Sequence, residues 1–156
     1  FREILQFPTL WIYPSNGKRA VTMELMNLRL GPSQSGKIEK VLLLLKDVGN
    51  ADFVSVVSHS GQNLCHIGEL EDVNISTVSS LAAGFHAAGN SLADMLGEDG
   101  APRVVNYGEK RSIIMGPAGN LGLILMVVSK KRRNHKKMET SLAQAGRVIE
   151  DILLNN

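Results

Sequence analysis

The sequence predicts an α+β domain, one five-stranded antiparallel sheet with flanking helices in the order α-β-β-α-β-β-β-α. Three observations predict it. Apolar residues recur at helical spacing near both ends of the region that begins at Lys37: Ile38, Val41, Leu42 and Leu45 in the first stretch, Met138, Leu142, Ala145, Ile149 and Ile152 in the last. Between them lies a long run of small residues, Val73 to Leu96, with an apolar stripe of Ile75, Val78, Ala82, Phe85, Gly89 and Leu92 that stops at Gly97. Finally, RVVNY, RSIIM and LGLILMVV are separated only by GEK and GPAGN, loops that connect antiparallel neighbours cheaply. Strands and helices in that succession define an α+β layer architecture.

Taken in order, the first helix runs from Lys37 to about Val48-Gly49-Asn50. DFVSVVS, apolar on both of its alternating faces, reads as a central strand, and the turn His59-Ser60-Gly61-Gln62 leads into its neighbour NLCHI. The long second helix follows, then the three-stranded meander and a final helix facing the same core. No internal repeat is present. Residues 1–35 read as an N-terminal extension or linker and 36–156 as the domain. The extension holds Phe1, Phe7, Trp11 and Tyr13, most of the aromatic residues of the chain, and residues 31–36 have the Gly, Pro and Ser content of a linker.

At 156 residues the chain is long enough for one buried core, and with 44% hydrophobic and 21% charged residues its composition is that of an ordinary globular protein. No apolar run approaches the roughly 20 residues of a membrane span. A single cysteine, Cys65, leaves no pair for a disulfide framework, so a reducing, cytoplasmic setting is expected. The net charge of +2 is unevenly placed. Six of the 17 basic residues, Lys130, Lys131, Arg132, Arg133, Lys136 and Lys137, crowd into one loop, and the remaining 11 against 15 acidic residues leave the rest of the chain near −4. Such a loop suits an acidic partner face, a nucleic acid or an anionic membrane surface, although no aromatic residue interleaves with the charges to stack on bases.

GPSQSGKI (31–38) imitates the phosphate-binding pattern G-x-x-x-x-G-K-[ST]. Gly31, Gly36 and Lys37 obey it, but Ile38 stands where a hydroxyl would ligate Mg²⁺. The predicted sheet is antiparallel, whereas that motif belongs to parallel sheets built by crossover helices. A P-loop nucleotide-binding protein is therefore only a third reading.

From about Ile38 to Leu154 the chain resembles the roadblock or dynein-light-chain family, with the feel of its bacterial gliding-type GTPase regulators. FVSVVSHSGQNL, STVSSLAAGFHAAGNSLADMLGE and RSIIMGPAGNLGLILMVV carry the resemblance through their order and spacing. It implies no catalytic motif. It does imply a homodimer, or a pseudo-symmetric heterodimer, that continues the sheet across a two-fold axis and offers a platform to a small Ras-like GTPase. The expected function is a non-enzymatic dimeric scaffold or regulator; the alternative is an anion-binding module using residues 130–137.

The residues also suggest where a second copy would sit. Ser80, Gly84, Ala87 and Ser91 form a smooth strip along the second helix, suited either to a symmetry-related helix or to close packing on the chain's own sheet. Val104, Val105 and Tyr107 belong to the first strand of the meander, an edge that self-pairing would cover. Leu43 lies opposite the core stripe of the first helix. Cys65 and His66, as neighbours in a strand, point to opposite faces, and nothing assembles a nucleophile, a base and an oxyanion site, so neither a metal nor a cofactor is expected.

Overall fold

Helix α1 (Pro32–Gly49) begins earlier than its apolar period suggests, and the residues read as linker form its first turn and a half. Pro32 is suited to this position because its fixed φ is helical and its missing N–H would have gone unsatisfied there. Gln34 reaches back, its Oε1 accepting from the Gly31 N–H at 3.1 Å. Asn50, left-handed at φ 44°, ends the helix. The computed structural model describes residues 29–99, 103–130 and 135–155. The aromatic N-terminal segment and Lys131, Arg132 and Arg133 lie outside the described residues.

Five strands follow the predicted order: β1 (Phe53–Ser58), β2 (Asn63–Gly68), β3 (Val104–Tyr107), β4 (Ser112–Pro117) and β5 (Leu123–Ser129), with α2 (Ile75–Met95) between β2 and β3 and α3 (His135–Leu154) last. They form one antiparallel sheet in the order β2-β1-β5-β4-β3. All six residues of β1 are buried, as expected of a strand with a neighbour on each side and helices over both faces.

Two apolar cores sandwich the sheet. On one face α1 and α3 lay Ile38, Leu42, Leu45, Leu142 and Ile149 over Val54, Val56, Leu125 and Val127. On the other, α2 covers Phe53, Val57, Met115, Ile124, Met126 and Val128 with Ala82 and Ala83. Strand alternation produces this division, because successive side chains leave a strand on opposite faces. The β1–β2 turn needs Gly61, whose φ of +90° and approach to Ser80 leave no room for a side chain.

The face that α2 turns to the sheet differs from the stripe expected from its sequence. Ser79, Ala82, Ala83, His86 and Ala93 point inward, while Phe85 and Leu92 are exposed. The sheet supplies the bulk on this side, so the helix packs against it with small residues and lies close. Asn74 caps the helix start by accepting from the Thr77 N–H at 2.9 Å.

His86 is a polar exception in this layer. It is 7% exposed, its Nδ1 lies 3.4 Å from Asn90 Nδ2, and its Nε2 is buried without a partner. Burial pushes its pKa below the usual 6.5. The folded chain therefore holds His86 neutral while the unfolded chain takes up a proton near 6.5, so stability is full above that pH and declines as pH falls toward the depressed folded value. Urea midpoints compared at pH 7.5 and pH 5 are expected to fall further for the native chain than for His86→Gln, which has no proton to gain. Equal falls would show that His86 does not carry the acid sensitivity.

Candidate functional site, an apolar helix face beside a sheet edge

The outward side of α2 is apolar as well. Leu81, Phe85, Leu92, Met95 and Leu96 are exposed by 68, 46, 58, 85 and 71%. With exposed Ala88 between them, the positions 81, 85, 88, 92 and 95 are separated alternately by four and three residues, the spacing of a seam between packed helices. Single exposed leucines are ordinary, but a continuous stripe of this kind is the signature of a surface that another molecule covers. The single stripe expected from the sequence includes Phe85 and Leu92 but not Leu81 or Met95; the four-and-three spacing is the signal that marks all of them.

The predicted strip lies alongside. Ser80, Gly84, Ala87 and Ser91 are all exposed, each one residue before a member of the seam. The helix glycines separate two reasons for small residues. A Cβ on Gly89 would sit 3.0 Å from Val104 Cγ2, so that glycine lets α2 approach β3. A Cβ on Gly84 would meet nothing within 4 Å, so the chain's own packing does not require it.

Among the described residues strand β3 is an edge, bonded only to β4 within the sheet. Val104 packs under α2 and Val105 on the α1/α3 side, both half-buried, while Tyr107 is 46% exposed. A Cβ on Gly89 would meet Val104, so α2 reaches the edge strand between Phe85 and Leu92. Helix stripe and open edge therefore form one neighbourhood.

Three members of the basic cluster, Lys130, Lys136 and Lys137, lie among the described residues. Lys130 follows β5, exposed, with its Nζ 3.9 Å from Asp52 Oδ1. Lys136 and Lys137 are exposed in the first turn of α3, which holds no acidic residue. A helix start favours negative charge, so these lysines lie against the dipole of their own helix. Leu43, 48% exposed, faces away from the core as expected, with Leu44 and Val48 also exposed.

Nothing in the described residues resembles a catalytic centre. Residues 32–37 are already helical, and the Ser35 N–H donates to the Gly31 carbonyl at 2.9 Å, so the glycine loop does not turn its amides toward a phosphate. Burial, with a smaller contribution from Glu39, pushes the Cys65 thiol up to about 11, far from a reactive thiolate. Among the described residues no three His, Cys, Asp or Glu side chains gather to hold a metal ion, and no helix is long and apolar enough to cross a membrane.

Among the described residues, the five-stranded antiparallel sheet carries one helix on one face and two on the other and is open at a short edge strand beside an apolar helix face. The Roadblock/LC7 domain model matches residues 37–129, and the chain belongs to that family. Among solved structures, MglB of Myxococcus xanthus is 27% identical, with a TM-score of 0.70, and the match covers 77% of this chain and 97% of that one. The gliding protein MglB from Thermus thermophilus is 22% identical, at TM-score 0.72 over 83% of this chain and 98% of that one. A Roadblock/LC7 domain from Streptomyces avermitilis shares the fold at 18% identity and TM-score 0.64, over 74% of this chain and 97% of that one. No curated protein matches the sequence.

The two glycines give a direct check. Gly84→Ala is expected to stabilise the folded chain by up to about 1 kcal/mol, the helix-propensity difference, because its Cβ enters open space. Gly89→Ala should gain less or lose, since Val104 must give way. Urea denaturation of both variants measures this, and an equal gain at the two sites would remove the packing role given to Gly89.

Proposed function

We propose that the chain is a non-enzymatic, two-fold scaffold that regulates a small Ras-like GTPase. The observation that carries the reading is the exposed seam Leu81-Phe85-Ala88-Leu92-Met95 beside the open edge of β3. Exposed apolar area of this kind favours association through the hydrophobic effect, and an edge strand gains backbone hydrogen bonds when another strand joins it. One partner meets both demands: a second copy, whose β3 continues the sheet while its α2 lies beside the first. Ser80, Gly84, Ala87 and Ser91 would line that approach, with Val104, Val105 and Tyr107 at the strand seam.

The GTPase partner rests on family membership and on the likeness to MglB, a gliding protein. In this reading the scaffold has no chemistry of its own. Binding reorders catalytic residues that the GTPase already carries, and the sequence identifies no arginine here as an inserted finger. Apolar area left over after dimerisation on α2 is the natural platform for it.

Light scattering of the purified chain is expected to give twice the chain mass, and Leu92→Glu to give the monomer. Single-turnover GTP hydrolysis by a Ras-like GTPase of the same organism should change when the native chain is added and stay unchanged with Leu92→Glu. A native monomer would sink the scaffold reading; a dimer without effect on any such GTPase would leave a plain adaptor.

The cations have a separate part. We infer that Lys130, Lys131, Arg132, Arg133, Lys136 and Lys137 tune association with an acidic partner face, supported by lysines that sit against their own helix dipole. Replacing Lys130 to Arg133 by Ser should slow partner association and flatten its salt dependence. An unchanged on-rate would end that role.

A further inference from the structure

We infer that the outer side of the α1/α3 layer docks on an anionic lipid bilayer, through an apolar band across the junction of the two helices with lysines at both of its ends. The inference rests on the reading of the basic cluster as a contact for an acidic partner; it names that partner and supplies the apolar half of the surface.

A few contacts orient the helices. A Cβ on Gly49, the last residue of α1, would meet Met138 in the first turn of α3, so α1 ends where α3 begins and the packed helices run antiparallel. Glu39 acts on the Cys65 thiol, which turns that flank of α1 toward β2. On α3, Glu139 accepts from Arg103 and Glu150 from the Asn120 N–H, which turns that flank toward Arg103 and the β4–β5 turn. The flanks left to face each other carry Val41, Leu44 and Val48 on α1 and Val148 and Ile152 on α3, at the spacing of residues that share one side of a helix. Val41 and Ile152 pack partly against the core beneath. Leu44, Val48 and Val148 stand outward, exposed by 67, 48 and 45%.

A lone exposed leucine is ordinary, whereas a band assembled from two helices marks a surface that something covers. Its ends are cationic. Lys37 and Lys40 are exposed in the first half of α1, and at the Val48 end, where α3 starts, Lys136 and Lys137 are exposed and Lys130 reaches Asp52 just beyond α1. Among the described residues the exposed acids of the two helices are Glu39, on the β2 flank, Asp47 and Asp151. Lysine stems lie along apolar surface while the ammonium groups rise to phosphates, so aliphatic side chains between lysines have the composition of a helix face that rests in a membrane interface. A nucleic acid has no use for Leu44 and Val48. The two lysine groups stand roughly 16 Å apart along α1, a span that anionic headgroups cover without any matching of side chains. Because α2 lies on the opposite face of the sheet, a bilayer on α1 and α3 leaves the proposed GTPase platform open.

Co-sedimentation of the full chain with vesicles tests this. The chain is expected to pellet with vesicles of equal parts phosphatidylcholine and phosphatidylglycerol, to stay in solution with phosphatidylcholine alone, and to be released as salt rises. Lys40→Ser with Lys136→Ser, and separately Leu44→Ser with Val48→Ser, should each weaken binding on the order of tenfold, with urea midpoints close to native because all four side chains are exposed. Binding that falls with the lysine pair but not with the apolar pair would overturn the surface, leaving a charge contact open to any polyanion. A drop in mass by light scattering for Leu44→Ser with Val48→Ser would assign the band to a second copy and overturn it as well. Absence of vesicle binding would overturn the inference by itself: partner association that still slows on replacing Lys130 to Arg133 would then keep the acidic-partner reading with a protein in that part, and association left unmoved would end both.

Discussion

Burial of β1 on both faces is the constraint from which the rest of the domain is arranged. Phe53, Val54, Val56 and Val57 are fully enclosed, and alternation sends Val54 and Val56 to one core and Phe53 and Val57 to the other. A strand with that pattern cannot lie at an edge, so β2 and β5 flank it. Once β5 is inside, the short meander carries β4 and β3 outward on one side. The open edge at β3 is thus a consequence of where the apolar strand must sit.

The two faces of the sheet meet their helices differently. On the α1/α3 side large residues come from the helices, among them Ile38, Leu42, Leu142 and Ile149. On the α2 side the bulk comes from the sheet, and the helix answers with alanine, serine and a close glycine contact at Val104. This reversal frees the large residues of α2. Leu81, Phe85, Leu92 and Met95 are left outside because the inner side is already filled by Phe53, Met115 and Met126, and interiors packed to crystal-like density admit little more. The same helix thereby secures the fold with its small residues and carries a sticky face with its large ones.

Element order was legible because each signal was local: period in α1 and α3, β-branched runs with short glycine loops in the sheet, and Asn or Gly at the stops. The start of α1 is not legible in the sequence, since Gly-Pro-Ser has the composition of a linker, and only the Pro32 position and the Gln34 side-chain contact make it a helix start. The sequence marks Ser80, Gly84, Ala87 and Ser91 as a strip of small residues, but its helical period groups Phe85 and Leu92 of the larger stripe with the inward-facing Ile75, Val78 and Ala82. Helical period reports that two residues share a face; it does not report which face meets the sheet.

By itself, then, the sequence determined the succession of elements, the character of β1 as a central strand, the edge position of RVVNY and the concentration of cations between β5 and α3. Those are properties of neighbouring residues and of alternation along one element. Only the tertiary structure decided the rotation of α2 about its own axis, which glycine the fold itself requires, and that the phosphate-loop imitation is helix. Each of these depends on the volume that a distant strand has already filled, and no short-range pattern records that volume.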